Sequence, residues 1–131
     1  MGTSCRIGVL VNGRVKSIYI RYDGRLSGVG EHLMNEINTI GKIAKLILNG
    51  NRYSLFEDEE KEENEENKYI EETDAEFISR GLRESCEYFY LFNGRWLVYH
   101  NDYEFLFESK KTNARTYLFT PLDDALKTLD N

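Results

Sequence analysis

The chain has 131 residues, 40% of them apolar and 13% aromatic, and a net charge of −6. That is the size of one domain, residues 1–131, around a single modest core. No apolar run approaches the roughly 20 residues of a spanning helix. The start, MGTSCRIGV, lacks the basic and then apolar layout of a secretory signal, so a cytoplasmic location is expected.

Residues 6–11 (RIGVLV) form a short apolar run suited to a buried strand. Asn12-Gly13 is a strong two-residue hairpin signal, and residues 15–21 (VKSIYIR) alternate as a returning strand. Ser27 is placed to cap a helix over residues 29–37, with Glu31 in its first turn, where the helix dipole favours an acid. Ile40, Ile43, Ala44, Ile47 and Leu48 recur at helical spacing and predict a second helix, which Asn49-Gly50 ends.

Charge is then distributed very unevenly. Residues 57–76 hold 12 acids and 2 lysines, while the remainder holds 11 acids and 15 basic residues. A fold of mild positive charge is therefore interrupted by a dense acidic insert, taken as residues 57–73 and expected to be solvated because like charges resist compaction.

Beyond the insert, Asp74 is placed to cap a helix with Phe77, Ile78 and Leu82 inward. Residues 86–92 (CEYFYLF) lead to Asn93-Gly94, a second hairpin turn, and residues 95–100 (RWLVYH) return from it. Residues 103–108 and 115–119 are further strand candidates. Thr120-Pro121 opens a terminal helix carrying Leu122, Ala125, Leu126 and Leu129. The order predicts an α+β fold, an antiparallel sheet of hairpins with helices packed on one face.

Three features bear on function. A strand runs into Arg21, Tyr22, Asp23 and Gly24, and Ser27, Gly28, Val29 and Gly30 then lead into a helix. A strand feeding a glycine-rich turn can hold an anion on free backbone N–H groups, with Arg21 and Arg25 close by. No Lys-Ser or Lys-Thr follows, so this is not a phosphate loop of the Walker type, and GxG without a third glycine is no dinucleotide fingerprint. The plainer reading is a sharp connection. The acidic insert is the second feature. Glu57, Asp58, Glu59, Glu60, Glu62, Glu63, Glu65 and Glu66 offer a strong negative field to a basic surface, such as the nucleic-acid groove of a protein partner. Tyr88, Tyr90 and Phe92 on one strand face and Phe89 and Leu91 on the other are the third. With few basic residues interleaved, they predict a two-sided core or a protein interface rather than a direct nucleic-acid platform. Catalysis finds no pattern: His32 and His100 are the only histidines, and neither a nucleophile elbow nor a His-Glu-x-x-His run is present. The cysteines, Cys5 and Cys86, have neither CxxC spacing nor an adjacent His, which predicts reduced thiols, no metal and no cofactor.

The opening stretch MGTSCRIGVLVNGRVKSIYIRYDGRLSGVGEHL resembles a family of small phage and prophage proteins. That family begins Met-Gly-Thr-Arg-Ser-x-Ile-Gly and continues Tyr-x-x-Trp-Asp-Gly-Tyr-Pro-x-Gly-Val-Gly. LILNGNRYSL, CEYFYLFNGRWLVY and LFTPLDDAL resemble later segments of it in the same order. This chain departs at Ser4-Cys5, at Tyr22, where the family has Trp, and at Arg25-Leu26, where it has Tyr-Pro. The resemblance implies phage origin, and a small, acidic, cofactor-free protein of that origin is expected to act in the host cytoplasm as a non-enzymatic counter-defence protein, of anti-CRISPR or similar type, that binds and blocks a host immune protein. The alternatives are a sponge that sequesters a nucleotide signal at residues 22–30 and a phage accessory protein with another partner.

Overall fold

The structure, a computed structural model, describes residues 3–56, 68–100 and 119–127. Six strands form one sheet in the order β3-β2-β1-β4-β5-β6. β1 (Cys5–Val11) and β2 (Arg14–Ile20) are the predicted first hairpin, paired antiparallel in register from Cys5↔Ile20 to Val11↔Arg14. Asn12 (φ 53°) and Gly13 (φ 77°) take the left-handed backbone that suits a two-residue turn to the strand twist. β4 (Tyr88–Phe92) and β5 (Trp96–His100) are the second hairpin. β3 (Ile70–Glu72) lies along β2, and the short β6 (Thr120–Pro121) along β5.

The fold is α+β, as the sequence predicts, but the sheet is mixed rather than wholly antiparallel. β4 pairs parallel with β1. The cause is α3 (Asp74–Arg83), which carries the chain from β3 across the sheet to β4. A helical crossover returns the chain in its original direction, whereas a hairpin reverses it.

That crossover also corrects the expectation of helices on one face. Alternation along the strands sends Cys5, Ile7, Ile18, Ile20, Tyr90 and Val98 into one cluster. One turn of π-helix at Leu26–Gly30, α1 (Glu31–Glu36), α2 (Ile40–Leu48) and α4 (Leu122–Lys127) cover it. Val15, Phe89 and Leu91 point the other way and meet Phe77 and Ile78 of α3. Phe77 and Phe89 pack edge to face, with ring centroids 5.8 Å apart. The aromatics on both faces of β4 thus serve a two-sided core.

Several local expectations change. Ser27 caps nothing: Arg25 precedes the π-turn without a side-chain cap, and α1 is six residues long. Thr73, not Asp74, caps α3, in a capping box with Glu76. Leu82 is 42% exposed, and Gly81 takes the inward position. A Cβ at Gly81 would collide with the Phe89 ring, so only glycine lets α3 sit this close to the sheet. The end of the presumed solvated insert is ordered as β3, where Glu72 is buried against Arg80 with N–O distances of 3.0 Å. Thr120-Pro121 pairs as β6 before α4 begins. The strand candidates at residues 103–108 and 115–118 lie outside the described residues.

Candidate functional site

The glycine-rich turn sits where β2 leaves the sheet. Past Ile20 the chain stays paired: Arg21 N donates to the Arg52 carbonyl (3.1 Å) and Tyr22 N to the Tyr53 carbonyl (2.8 Å), while Arg52 N donates to Tyr19 (3.0 Å). Residues 51–53 therefore run parallel beside the end of β2, with Ile20 bridged to Arg52. This pairing sets Tyr22 and Tyr53 side by side, rings stacked at 6.4 Å with 30° between planes. The Arg21 guanidinium lies 5.6 Å from the Tyr22 centroid and 5.9 Å from that of Tyr53. Tyr22 is 42% and Tyr53 58% exposed. Phe56, half exposed, meets His32 of α1 edge to face at 5.2 Å.

The turn itself is pinned on every side. Asp23 is left-handed (φ 64°). Its carbonyl accepts from Val29 N (2.8 Å), Gly24 N donates to Thr3 O (2.7 Å), and the Gly24 carbonyl accepts from the buried Tyr90 hydroxyl (2.7 Å). Burial holds that phenol well above its ordinary pKa. Gly28 N and Gly30 N both donate to the Arg25 carbonyl, at 3.0 and 3.3 Å. The N–H groups that would cradle an anion are thus committed to the chain's own carbonyls. A Cβ at Gly28 would strike the Asp23 carbonyl, so the glycine is needed for close packing. Ser27 is exposed, and the Asp23 carboxylate stands 4.0 Å from Arg25 in an exposed pair.

The predicted ligand residues Arg21, Tyr22, Asp23, Gly24, Ser27, Gly28 and Gly30 are therefore adjacent, but only Arg21 and Tyr22 join the ring cluster. Tyr53 and Phe56 were missed, because their pairing with β2 has no periodic signal in NRYSLF. The acidic residues Glu57, Asp58, Glu59, Glu60, Glu62, Glu63, Glu65 and Glu66 lie outside the described residues. In sequence they follow Phe56 directly, so the densest charge in the chain is covalently tied to the aromatic patch.

The remaining candidates are structural. Cys5 and Cys86 are buried free thiols in separate clusters on opposite sheet faces. Burial pushes Cys86 up to about 12 and Cys5 well above its usual value, so both are protonated at neutral pH. Among the described residues no group of three His, Cys, Asp or Glu is placed to hold a metal ion, and no helix is long and apolar enough to cross a membrane. Compared with protein-family models, curated proteins and solved structures, the chain matches none.

Proposed function

We propose that this chain is a non-enzymatic binding protein whose recognition surface is the Arg21–Tyr22–Tyr53 patch, with the acidic residues 57–66 steering it toward a basic partner. The observation that carries this reading is the pair of exposed stacked tyrosines under one guanidinium. Tyr and Arg dominate the energetic centres of protein interfaces, because they bring large contact area and polar tips. The acidic residues supply the long-range attraction that such a patch lacks. Together with the resemblance to phage proteins, this favours a counter-defence protein of anti-CRISPR or similar type. It acts in the host cytoplasm and covers the nucleic-acid-binding surface of an immune protein.

The test is capture from host lysate followed by reconstitution with the purified partner. The native chain retains the partner and blocks its binding to nucleic acid; Tyr22→Ser with Tyr53→Ser loses both effects and keeps its melting temperature. Undiminished blocking by that double variant overturns the assignment of the patch.

The nucleotide-sponge reading draws support from the same rings beside Arg21, but the committed N–H groups of residues 28–30 oppose it. Calorimetry with cyclic nucleotides and adenine diphosphates is expected to show no heat. Saturable binding that Asp23→Ala removes would reverse the order of the two readings.

A further inference from the structure

On the main core face, between α2 and the hairpin end of β1 and β2, lies a groove of about 240 Å³. Val9, Val11 and Lys16 form its floor, Ala44 and its neighbours on α2 its wall, and Tyr69 its end. The amphipathic reading of α2 places all five apolar residues inward, yet only Ile43 and Ile47 of that set are buried. Ile40 is 65% exposed, Leu48 72% and Val11 40%. Ile40, Ala44 and Leu48 are four residues apart, which makes one stripe along ~13 Å of helix beside the groove.

We infer that this groove and stripe receive an amphipathic helical segment of a protein partner, acidic on its polar flanks. Two observations select this occupant. The first is extent. A small ligand filling the groove would leave Ile40 and Leu48 in water, whereas a helix laid along α2 covers both and inserts a side chain between them. The second is charge. Among the described residues Lys45, exposed, borders the stripe, and α2 carries no acid. Lys16 on the groove floor shares Glu71 (3.9 Å) with Arg14 (3.2 Å), so two cations face one carboxylate. This cationic setting attracts an acidic flank and repels a basic one. It also disfavours a second copy of this chain, since antiparallel contact about Ala44 would bring Lys45 against its own counterpart.

The inference rests on the reading of this chain as a protein-binding molecule but uses a different surface, so the two fail separately. The probe is a helix-stapled model peptide of about 14 residues, with Leu along one face and Glu on both flanks. A twin carries Lys for Glu. Fluorescence anisotropy is expected to show the Glu peptide binding at least about tenfold tighter than its twin. Leu48→Ser should abolish binding, Lys16→Gln should narrow the preference, and Tyr53→Ser should change neither. Leu48 is mostly in solvent, so its replacement spares the fold. Equal affinity for the two peptides, or binding indifferent to Leu48→Ser, overturns the inference. So does a dimer in sedimentation equilibrium that Leu48→Ser dissolves, which assigns the face to self-association. Saturable decanoate binding with both peptides silent also overturns it, in favour of a small apolar acid.

Discussion

Arg6 is 1% exposed, the largest fully buried side chain among the described residues. It stands in RIGVLV, a run that reads as an apolar strand, and it occupies the face opposite the main core. Its guanidinium is satisfied on both sides. Nε and Nη2 donate to Ser17 Oγ (3.1 and 3.0 Å), and Nη1 donates to both Glu84 carboxylate oxygens (2.9 and 3.1 Å). Ser17 is on β2 and Glu84 caps the C-terminal end of α3, so one side chain ties three elements together. Breaking a buried pair costs about 3–5 kcal/mol. Glu84 is a third exposed, so water re-solvates part of the charge left behind, and Glu84→Ala is expected to cost roughly 1–3 kcal/mol. Urea denaturation measures it, and Glu84→Gln should recover part of the loss by keeping one acceptor. At this scale the sequence was half legible. Of the two readings of the alternating aromatics, the two-sided core is the one the structure takes. The Arg6 network was not legible, because Glu84 lies 78 residues away and nothing local marks the contact.

Among the elements, hairpins and helices were visible because their signals are local: turn residues, strand alternation and spacing along a helix. Caps were misplaced by a residue because Thr73 and Asp74 are both good cap residues, and only the fold selects one. Thr73 Oγ1 accepts from Glu76 N (3.2 Å), and the Glu76 carboxylate accepts from Thr73 N (2.9 Å). Those hydrogen bonds favour the ionised form, and the Glu76 pKa is lowered from 4.5. A lowered carboxylate pKa contributes stability that is full above the unfolded value and is lost as pH falls through the folded one. Thermal melts from pH 6 down to about pH 3 should therefore show the native chain losing stability below about pH 4.5. Glu76→Gln should lose less over the same interval, since its amide oxygen caps without ionising. Parallel decline of the two proteins would mean that Glu76 contributes nothing to α3 through its charge.

At the level of the whole molecule, strand order was the part that sequence reasoning missed. Whether β4 joins β1 or β2 depends on which edge is free. Residues 51–53 and β3 already line the outer edge of β2, which leaves β1 as the open partner. The same arrangement separates charge along the chain. Residues 1–56 hold eight basic and three acidic side chains, and residues 57–67 hold eight acids against one lysine. In sequence the acidic block directly follows Phe56, three residues after Tyr53. A dense negative charge that follows the Tyr53 and Phe56 patch in sequence attracts a basic partner before that patch makes contact, which is an effect on encounter rate more than on the final complex. Reversing Glu59, Glu60, Glu62 and Glu63 to Lys should therefore slow association with a basic partner by about 10-fold or more at low salt. It should also flatten the salt dependence of the rate and leave dissociation nearly unchanged. Stopped-flow binding at several ionic strengths separates the two rates, and a melting temperature unchanged from the native chain shows that the fold is intact. Association as fast as the native chain's would remove the steering role and leave the Arg21–Tyr22–Tyr53 patch to determine binding of that partner by itself.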